Sequence, residues 1–322
     1  MNLNALRYFL EVAKCQSIRR ASERLHVAAS AISRQISSLE HQLNCTLLER
    51  RSDGVTLTEA GKRLHAHGLK IDAQLQLVQS DIDELRFLQR GIVRIATVEG
   101  ITEHFLPKVM STFLKKYPNV SFDVSVLSRD ETVDALDRYE CDIGFLYDYQ
   151  HHHAVDIIAN YHQPLHAFVP PGHKLARGER LKLAQLLTFD HVMPSIDFGI
   201  NQLVTRVAKQ YKTQVSPKIV SNRLHFLSAY AKLNDAVIFM PVQAVYSDVE
   251  YGKLIPINLD CAPFKNRHLS LATRKQRVLS SAASLFADHA QEQFSYWESL
   301  DKGILESAEA SWLDSELKES RP

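Results

Sequence analysis

The N-terminal part of the chain predicts three short amphipathic helices. Apolar residues recur there at steps of three and four, which places them on one face of each helix: Leu6, Phe9, Leu10 and Ala13 in the first, Ile18, Ala21 and Leu25 in the second, and Ile32, Ile36, Leu39 and Leu43 in the third. Ser17 can cap the second helix and Ser30 the third, because serine hydroxyls accept N–H groups at helix starts. The second and third helices are separated only by the turn Val27-Ala28-Ala29, which is typical of a helix-turn-helix unit.

The outward face of the third predicted helix is short and polar. Its residues are Ala29, Ser30, Ser33, Arg34, Ser37 and Ser38, a set that can enter the major groove of DNA. Two short apolar stretches then flank Ser52-Asp53-Gly54, which predicts a β-hairpin carrying Arg50 and Arg51, since Asp-Gly favours tight hairpin turns. From these features alone, a small helical domain with a solvated basic face remains an alternative to a DNA-binding domain.

A long helix is predicted to follow, beginning at Glu59 and capped by Thr58. Its apolar positions alternate between steps of four and three, which is the 3.5-residue repeat of a coiled coil; they are Leu64, Gly68, Ile71, Leu75, Val78, Ile82 and Leu85. A single helix cannot bury such a seam against itself. Pairing with a second copy is therefore expected, and packing on the chain's own C-terminal domain is the alternative.

Five segments of this region carry a family resemblance: LRYFLEVA, RASERLHV, AISRQISSLEHQL, LLER and LTEAG, in this order. They resemble the winged helix-turn-helix of the bacterial LysR-type transcriptional regulators. The resemblance implies that residues 1–58 bind double-stranded promoter or operator DNA through Ser30, Ser33, Arg34, Gln35, Ser38, Arg50 and Arg51. It also implies that residues 59–90 form a linker helix that pairs subunits into a dimer or a dimer of dimers through Leu64, Ile71, Leu75, Val78, Ile82 and Leu85.

The chain departs from the family pattern at the start of the recognition segment. The family usually has V-S-Q-P-A-L-S-R-Q-I, where this chain has VAASAISRQI. Ala29 and Ser30 thus replace a glutamine and a proline. Because alanine cannot form side-chain hydrogen bonds, the base contact that a glutamine could make there does not carry over.

Beyond residue 90, predicted strands alternate with predicted helices, which is typical of parallel sheets with crossover helices. Two such cycles predict an α/β domain over 91–300, with lobe I at about 91–163 and 267–300 and lobe II at about 164–266. The last helix is expected at 279–297 and an acidic tail at 301–322. This order resembles the periplasmic binding-protein fold, which LysR-type regulators carry as their effector-binding domain.

Ligands in such sheets bind beyond the carboxyl ends of the strands, next to helix N-termini. The loops at these ends predict an effector site between the lobes, formed by Thr97, Val98, Glu99, Gly100, Ser128, Arg129, Ser195, Phe198 and Asn222. Hydroxyl groups, helix N-termini and an arginine favour a small organic acid. Glu99 favours a different class of ligand, because a carboxylate in the same loop favours an amine or a polyol.

Composition and charge limit the class of protein and the cellular location that the sequence allows. The net charge of +1 excludes a uniformly basic nucleic-acid coat, although six arginines stand against three acids between Arg19 and Arg51. No apolar run is long enough to span a membrane, and the N-terminus lacks the pattern of a secretion signal. The four cysteines are far apart in sequence. We therefore expect a cytoplasmic protein with free thiols and no membrane association.

No catalytic or nucleotide-binding motif occurs, so we expect neither enzymatic activity nor a cofactor. The run His151-His152-His153 is interpreted as an exposed polar loop rather than a metal site, and a peroxide-sensing cysteine is a weaker hypothesis. The main interpretation is an effector-responsive transcriptional regulator with RNA polymerase as a further partner. The alternative is a cytoplasmic solute-binding or enzymatic α/β protein that uses its N-terminal helices only to dimerise.

Overall fold

The computed structural model describes residues 2–51, 54–85, 90–149, 152–176 and 180–319. Within these ranges, the side chains of residues 50–51, 79–81, 83–85 and 308–319 are not described. The chain forms two compact units. Residues up to 85 belong to the first, and residues 90–137 and those from 141 onwards belong to the second.

The first unit is a helical domain with a two-stranded hairpin. Its elements are α1 (Leu3–Cys15), α2 (Ile18–Leu25), α3 (Ala29–Leu43), β1 (Leu48–Arg51), β2 (Gly54–Leu57) and α4 (Glu59–Leu85). The three short helices enclose one core, in which Phe9, Val12, Ala21 and Ile32 are fully buried. The small side chain of Ala21 allows α2 to pack closely on its neighbours.

Two of the three predicted caps are correct. Thr58 caps α4, its hydroxyl accepting the Gly61 N–H at 2.9 Å. Ser17 caps α2, its hydroxyl accepting the Arg20 N–H at 3.3 Å. The Ser30 cap is wrong, because α3 already begins at Ala29 and its N-cap is Ala28, which makes no side-chain cap hydrogen bond. Leu43 was also expected inside, but it is exposed because it lies in the last turn of α3, beyond the core.

The predicted hairpin forms, with β1 antiparallel to β2 in the register Leu48–Leu57 to Arg51–Gly54. Ser52 and Asp53, the residues predicted to make its turn, lie outside the described residues. Gly54 has φ +150°, and a Cβ there would come within 2.7 Å of the Gln16 carbonyl oxygen. A glycine is therefore required where the hairpin passes the end of α1.

The predicted apolar seam of α4 is packed at its N-terminal end and exposed further along the helix. Leu64 and Ile71 pack against the core of the first unit. Leu75, Val78 and Ile82 are exposed, by 42%, 55% and 42%, and the side chain of Leu85 lies outside the described part of the chain. The helix was expected to run to residue 90, whereas Arg90 and Gly91 belong to the next strand.

The second unit contains the remaining elements. They are β3 (Arg90–Thr97), α5 (Phe105–Lys116), β4 (Asn119–Val126), α6 (Arg129–Asp137), β5 (Ile143–Tyr147), β6 (Val155–His162), β7 (Leu165–Val169), α7 (Leu183–Leu186), β8 (His191–Pro194), α8 (Gly199–Gln210), β9 (Ile219–Ser221), α9 (Leu224–Asn234), β10 (Val237–Pro241), α10 (Tyr246–Glu250), β11 (Ile255–Pro256), α11 (Ala262–Lys265), β12 (His268–Arg274) and α12 (Ser281–Glu319). Short 3₁₀ turns occupy Glu99–Ile101 and Val242–Ala244.

These elements form two lobes, each built on a five-stranded sheet. The sheet of lobe I has the order β4-β3-β5-β12-β6 and that of lobe II the order β11-β7-β10-β8-β9. The sheets are mixed rather than purely parallel: β3 is parallel to β4 and β5, and β8 to β9 and β10, whereas β12 and β7 pair antiparallel with their neighbours. Each lobe has its own apolar core.

The last helix extends further than the sequence predicts. It was expected to end near Trp297, but α12 continues to Glu319 through the segment assigned to the tail. Leu300 packs against the core of lobe I, whereas Ile304 and Leu305 pack against the core of lobe II. The helix is therefore a third connection between the lobes, in addition to the two places where the chain crosses at residues 162–165 and 265–268.

Candidate DNA-binding surface and interlobe site

The outward face of α3 lies as predicted. Ser30, Arg34 and Ser38 are exposed, while Ser33 and Gln35 are half-buried. Arg34 makes one long intrahelical bond, from Nε to the Ser30 carbonyl oxygen at 3.5 Å. Since a bond of that length is weak, the exposed guanidinium can reorient toward another acceptor at little cost.

The hairpin is held to α3 by a carboxylate that sequence reasoning missed. Glu40 Oε1 accepts the N–H groups of Leu47 at 2.7 Å and Leu48 at 3.2 Å. These bonds fix the start of β1 relative to α3, and so fix where the backbone of Arg50 and Arg51 runs. The side chains of those two arginines lie outside the described part of the chain.

The second unit presents strand ends of one lobe to strand ends of the other. Glu99, after β3, extends its Oε1 to the Leu224 N–H at the start of α9, at 2.9 Å. Beside it, Glu103 Oε1 lies 3.0 Å from His225 Nδ1. The carboxylate of Glu99 thus accepts a backbone N–H at the positive end of α9 and connects lobe I to lobe II.

The rest of the loop after β3 is tightly packed. Thr97 is fully buried, and its hydroxyl donates to the Val98 carbonyl at 3.2 Å, while the Val98 N–H donates to the Phe145 carbonyl at 3.2 Å. A Cβ at Gly100 would come within 3.1 Å of the Tyr147 ring and 3.3 Å of Pro241. Gly100 is therefore a point of close lobe–lobe approach rather than an open ligand surface.

Ser128 and Arg129 are engaged at the start of α6. The Ser128 hydroxyl accepts the Glu131 N–H at 3.3 Å, and Glu131 Oε2 accepts the Ser128 N–H at 2.8 Å. These hydrogen bonds lower the pKa of Glu131. Arg129 Nε pairs with Asp130 Oδ1 at 2.9 Å. The reciprocal bonds between Ser128 and Glu131 form a capping box. Ser128 and Arg129 therefore both have structural partners within the first turn of the helix.

The corresponding loops of lobe II leave one helix end uncapped. Ser195 and Phe198 form a turn through the Phe198 N–H and the Ser195 carbonyl, at 3.0 Å. Phe198 is the N-cap of α8, packs against the core of lobe II and makes no side-chain cap hydrogen bond. Asn222 is exposed beyond β9.

An ion pair within lobe I, where the chain returns from lobe II, was not predicted. Arg267, directly before β12, is 2% exposed, and its Nε donates to Asp148 Oδ2 at 2.8 Å. Its guanidinium carbon lies 4.8 Å from the centre of the Tyr147 ring, a cation–π contact. In sequence, Arg267 belongs to the polar segment Lys265-Asn266-Arg267 before an apolar strand, and nothing local distinguishes it from a solvated residue.

A second unpredicted cluster surrounds Asp301 of α12. Its carboxylate accepts hydrogen bonds from Tyr161 of lobe I and Gln243 of lobe II. Burial raises the pKa of Asp301 to about 6, against the opposing effect of these hydrogen bonds. His104 stacks on Tyr246 across the same region, with ring centres 3.8 Å apart. The acid assigned to a tail is thus part of the lobe–lobe contact.

The cysteines and histidines singled out above are placed as follows. Cys15, Cys141 and Cys261 are buried and Cys45 is half-buried. Burial raises the pKa of the Cys15 and Cys261 thiols, which disfavours the reactive thiolate. His152 Nδ1 accepts the Ala154 N–H at 3.3 Å, and His151 lies outside the described residues.

Comparison with known proteins identifies both units. The family "Bacterial regulatory helix-turn-helix protein, lysR family" matches residues 3–62, and "LysR substrate binding domain" matches residues 88–295. The chain belongs to the LysR family. LysR-family members are transcriptional regulators with a helix-turn-helix and an effector-binding domain, and this chain has both. No helix in the described ranges is both long and apolar enough to cross a membrane.

Curated LysR-family relatives align over nearly the whole chain. The RuBisCO operon transcriptional regulator of Allochromatium vinosum is 26% identical, covering 89% of this chain and 95% of its own. The transcriptional dual regulator GltC of Bacillus subtilis (strain 168) is 28% identical, covering 92% and 98%.

Solved LysR-family structures share the fold. A variant of full-length OxyR from Pseudomonas aeruginosa has a TM-score of 0.71 at 19% identity, covering 90% of this chain and 94% of its own. Full-length CbnR complexed with its target DNA has a TM-score of 0.62 at 22% identity, covering 91% and 99%.

Proposed function

We propose that this regulator reads operator DNA with the outward face of α3 and that the hairpin contacts the adjacent phosphates. The observation that carries the proposal is the exposed polar face itself, in which Arg34 is held by only one long bond. An arginine on a recognition helix can bind guanine edges in the major groove with both of its terminal nitrogens. In this proposal Ser30, Ser33, Gln35 and Ser38 complete the surface, and Arg50 and Arg51 contact phosphates.

The proposed active form is a dimer, or a dimer of dimers, joined through α4. Leu75, Val78 and Ile82 support this, since exposed apolar residues at heptad spacing are stabilised when a second helix covers them. Leu64 and Ile71 instead support the orientation of α4 on its own DNA-binding domain. A two-fold dimer would place one recognition helix at each half of a palindromic operator.

The proposed effector site lies between the two lobes, where the strand ends of each meet. A ligand there contacts both lobes and can change DNA binding only by favouring one lobe or subunit arrangement over another. Val98, Glu99, Gly100, Ser195 and Phe198 border this region on the two sides. The proposed site also includes Thr97, Ser128, Arg129 and Asn222. The first three of these already form hydrogen bonds or an ion pair within lobe I.

The remaining parts of the proposal follow from DNA binding. A bacterial regulator meets its operator in the cytoplasm, so we place this protein there. RNA polymerase is the proposed further partner, because a regulator bound at a promoter changes how the polymerase starts transcription.

A shift assay with the DNA that flanks the protein's own gene tests the DNA-binding proposal. The full-length protein should bind this DNA more tightly than an unrelated fragment of equal length at physiological salt, because base contacts add to the salt-dependent phosphate contacts. Equal affinity for both fragments, with the same salt dependence, would contradict sequence-specific binding.

A further inference from the structure

Arg267 has donors that the fold itself does not use. Its Nε is paired with Asp148, but Nη1 and Nη2 are both buried and have no hydrogen-bond partner among the residues that the structure describes. A buried guanidinium normally satisfies its N–H groups, because a buried donor without a partner loses its hydrogen bonds to water and gains none in return. The contact with the Tyr147 ring engages the face of the guanidinium and leaves the N–H edge available.

The edge of Arg267 lies beside the uncapped start of α8. A Cβ built on Gly199, the first residue of α8, would lie 3.9 Å from Arg267 Nη2 and 3.8 Å from Asp148 Oδ2. The positive end of a twelve-residue helix and a guanidinium therefore meet at one place. Such positive groups repel each other, and Asp148 supplies one negative charge between them.

The neighbouring helix of lobe II shows how such an end is satisfied when the chain supplies the anion. At the start of α9, the Glu99 carboxylate accepts the Leu224 N–H. At the start of α8 the N-cap is Phe198, whose side chain cannot accept a hydrogen bond. The Asp148 carboxylate lies near this helix end, but its Oδ2 accepts Arg267 Nε. Of these two helix ends, the end of α8 is therefore the one suited to a further anion from outside.

We infer that Arg267 and the first N–H groups of α8 bind a carboxylate group of the effector. The planar guanidinium can donate from Nη1 and Nη2 to the two oxygens of a carboxylate, and the absence of a side chain at Gly199 allows the ligand to approach the helix. This deepens the proposed function and rests on it. It gives the effector a chemical class, a carboxylic acid, and gives the site a residue that reads that class.

The burial of both Nη atoms links binding to lobe movement. A ligand reaches them from solvent when the lobes separate, and separation at this point strains the Glu99–Leu224 hydrogen bond. Carboxylate binding therefore acts on the same lobe–lobe contacts that distinguish one arrangement of the domain from another.

Formate tests the inference, because it is a carboxylate with no other recognition group. The full-length protein is unfolded thermally in sodium formate and in sodium chloride at matched ionic strength and pH. Formate should raise Tm relative to chloride in a saturable manner, since a ligand that binds only the folded protein stabilises it by mass action. A parallel titration with inorganic phosphate distinguishes a carboxylate site from a general oxyanion site.

Two variants keep the test independent of folding defects. Arg267→Lys retains the charge but loses the planar pair of donors, and should weaken formate binding by about 10- to 100-fold. Gly199→Asp introduces a carboxylate at the helix start and should compete with formate while the helix remains intact, because acidic residues are favoured there. Arg274→Lys, at the other end of β12, is the matched control and should bind formate like the wild type.

The inference is supported if formate stabilises the wild type and Arg274→Lys but not the other two variants. It is overturned if formate and chloride act alike on the wild type, if phosphate stabilises it more than formate, or if Arg267→Lys responds like the wild type. The shift assay on operator DNA is read separately. A protein that binds DNA specifically but not formate retains the proposed function and loses only this inference.

Discussion

Gly61 is the residue of the DNA-binding domain with the least room for a side chain. A Cβ there would lie 2.1 Å from the Leu47 carbonyl oxygen, far inside van der Waals contact with backbone. This explains in physical terms the glycine of the LTEAG segment: α4 crosses the start of the hairpin without a side chain between them. Any larger residue must displace β1 or the first turn of α4.

Gly61→Ala should therefore destabilise the domain, although alanine favours helix more than glycine does. We expect a loss of about 2–4 kcal/mol, as for other strained or overpacked sites, with weaker DNA binding as a consequence. Urea unfolding followed by circular dichroism measures it. Gly303→Ala is the control, since nothing lies within 4 Å of a Cβ at that helical position and the change should be neutral or stabilising. Equal stability of both variants would contradict the clash.

Asp301→Asn should change how stability depends on pH. Because the pKa of Asp301 is raised to about 6, the folded state binds this proton more tightly than the unfolded state. The contribution of Asp301 to the free energy of unfolding is therefore fully present below about pH 4 and is lost as the pH rises through about 6. Asparagine carries no charge at any of these pH values and lacks this loss.

Urea unfolding at several pH values between 4 and 7 measures the effect. Relative to Asp301→Asn, the wild type should lose up to about 3 kcal/mol over this range. A stability difference between the two proteins that does not vary with pH would show that Asp301 is not buried as an acid between Tyr161 and Gln243.

Individual buried charges were beyond what the sequence could predict. Arg34 and the serines of α3 were predictable, because helical spacing separates an outward face from an inward one within a single element. Arg267 and Asp301 are buried, and Asp148 is half-buried, by elements that are distant in sequence, so local pattern gives no sign of their environment. Ser30 was misassigned as a cap because helix starts vary by a residue and the local sequence offers several small residues.

Among the elements, strongly patterned ones were predicted and weakly patterned ones were missed. The pattern of apolar residues predicts strands at β3, β5 and β10; β5 and β10 are apolar throughout or nearly so, and β3 is mostly apolar. β6 was missed because its residues are mixed and partly exposed, and β11 because it has only two residues. The mixed sheets could not be anticipated either, since the direction of β7 and β12 depends on where the chain crosses between the lobes.

Helix α4 carries the prediction about assembly. Leu75→Asp with Val78→Asp places charges on the exposed half of the seam and should shift the protein toward monomer by separating paired helices. Light scattering at several concentrations measures the mass. Gln74→Asp, exposed on the same helix but outside the seam, is the control and should keep the wild-type mass. A double variant with unchanged mass would mean that these positions do not join subunits.

Three parts of the molecule act together in the proposed function. The DNA-binding domain supplies the proposed recognition face, α4 the proposed pairing of two such faces, and the two-lobed domain the proposed effector site, whose occupancy would change the lobe arrangement. A ligand can influence DNA affinity only if it binds one arrangement better than the other, and DNA must then influence ligand affinity by the same factor. The lobe contacts through Glu99, Arg267 and α12 are where such a difference can arise.

The DNA affinity of Arg34→Ala tests whether the protein recognises its operator through α3. Fluorescence anisotropy with the DNA flanking the protein's own gene, at physiological salt, compares it with the wild type and with Arg206→Ala, an exposed arginine of α8. Loss of the base contact should cost Arg34→Ala about 1–3 kcal/mol, while Arg206→Ala binds like the wild type and both variants keep the wild-type mass. An Arg34→Ala protein that binds this DNA as tightly as the wild type would contradict recognition through α3.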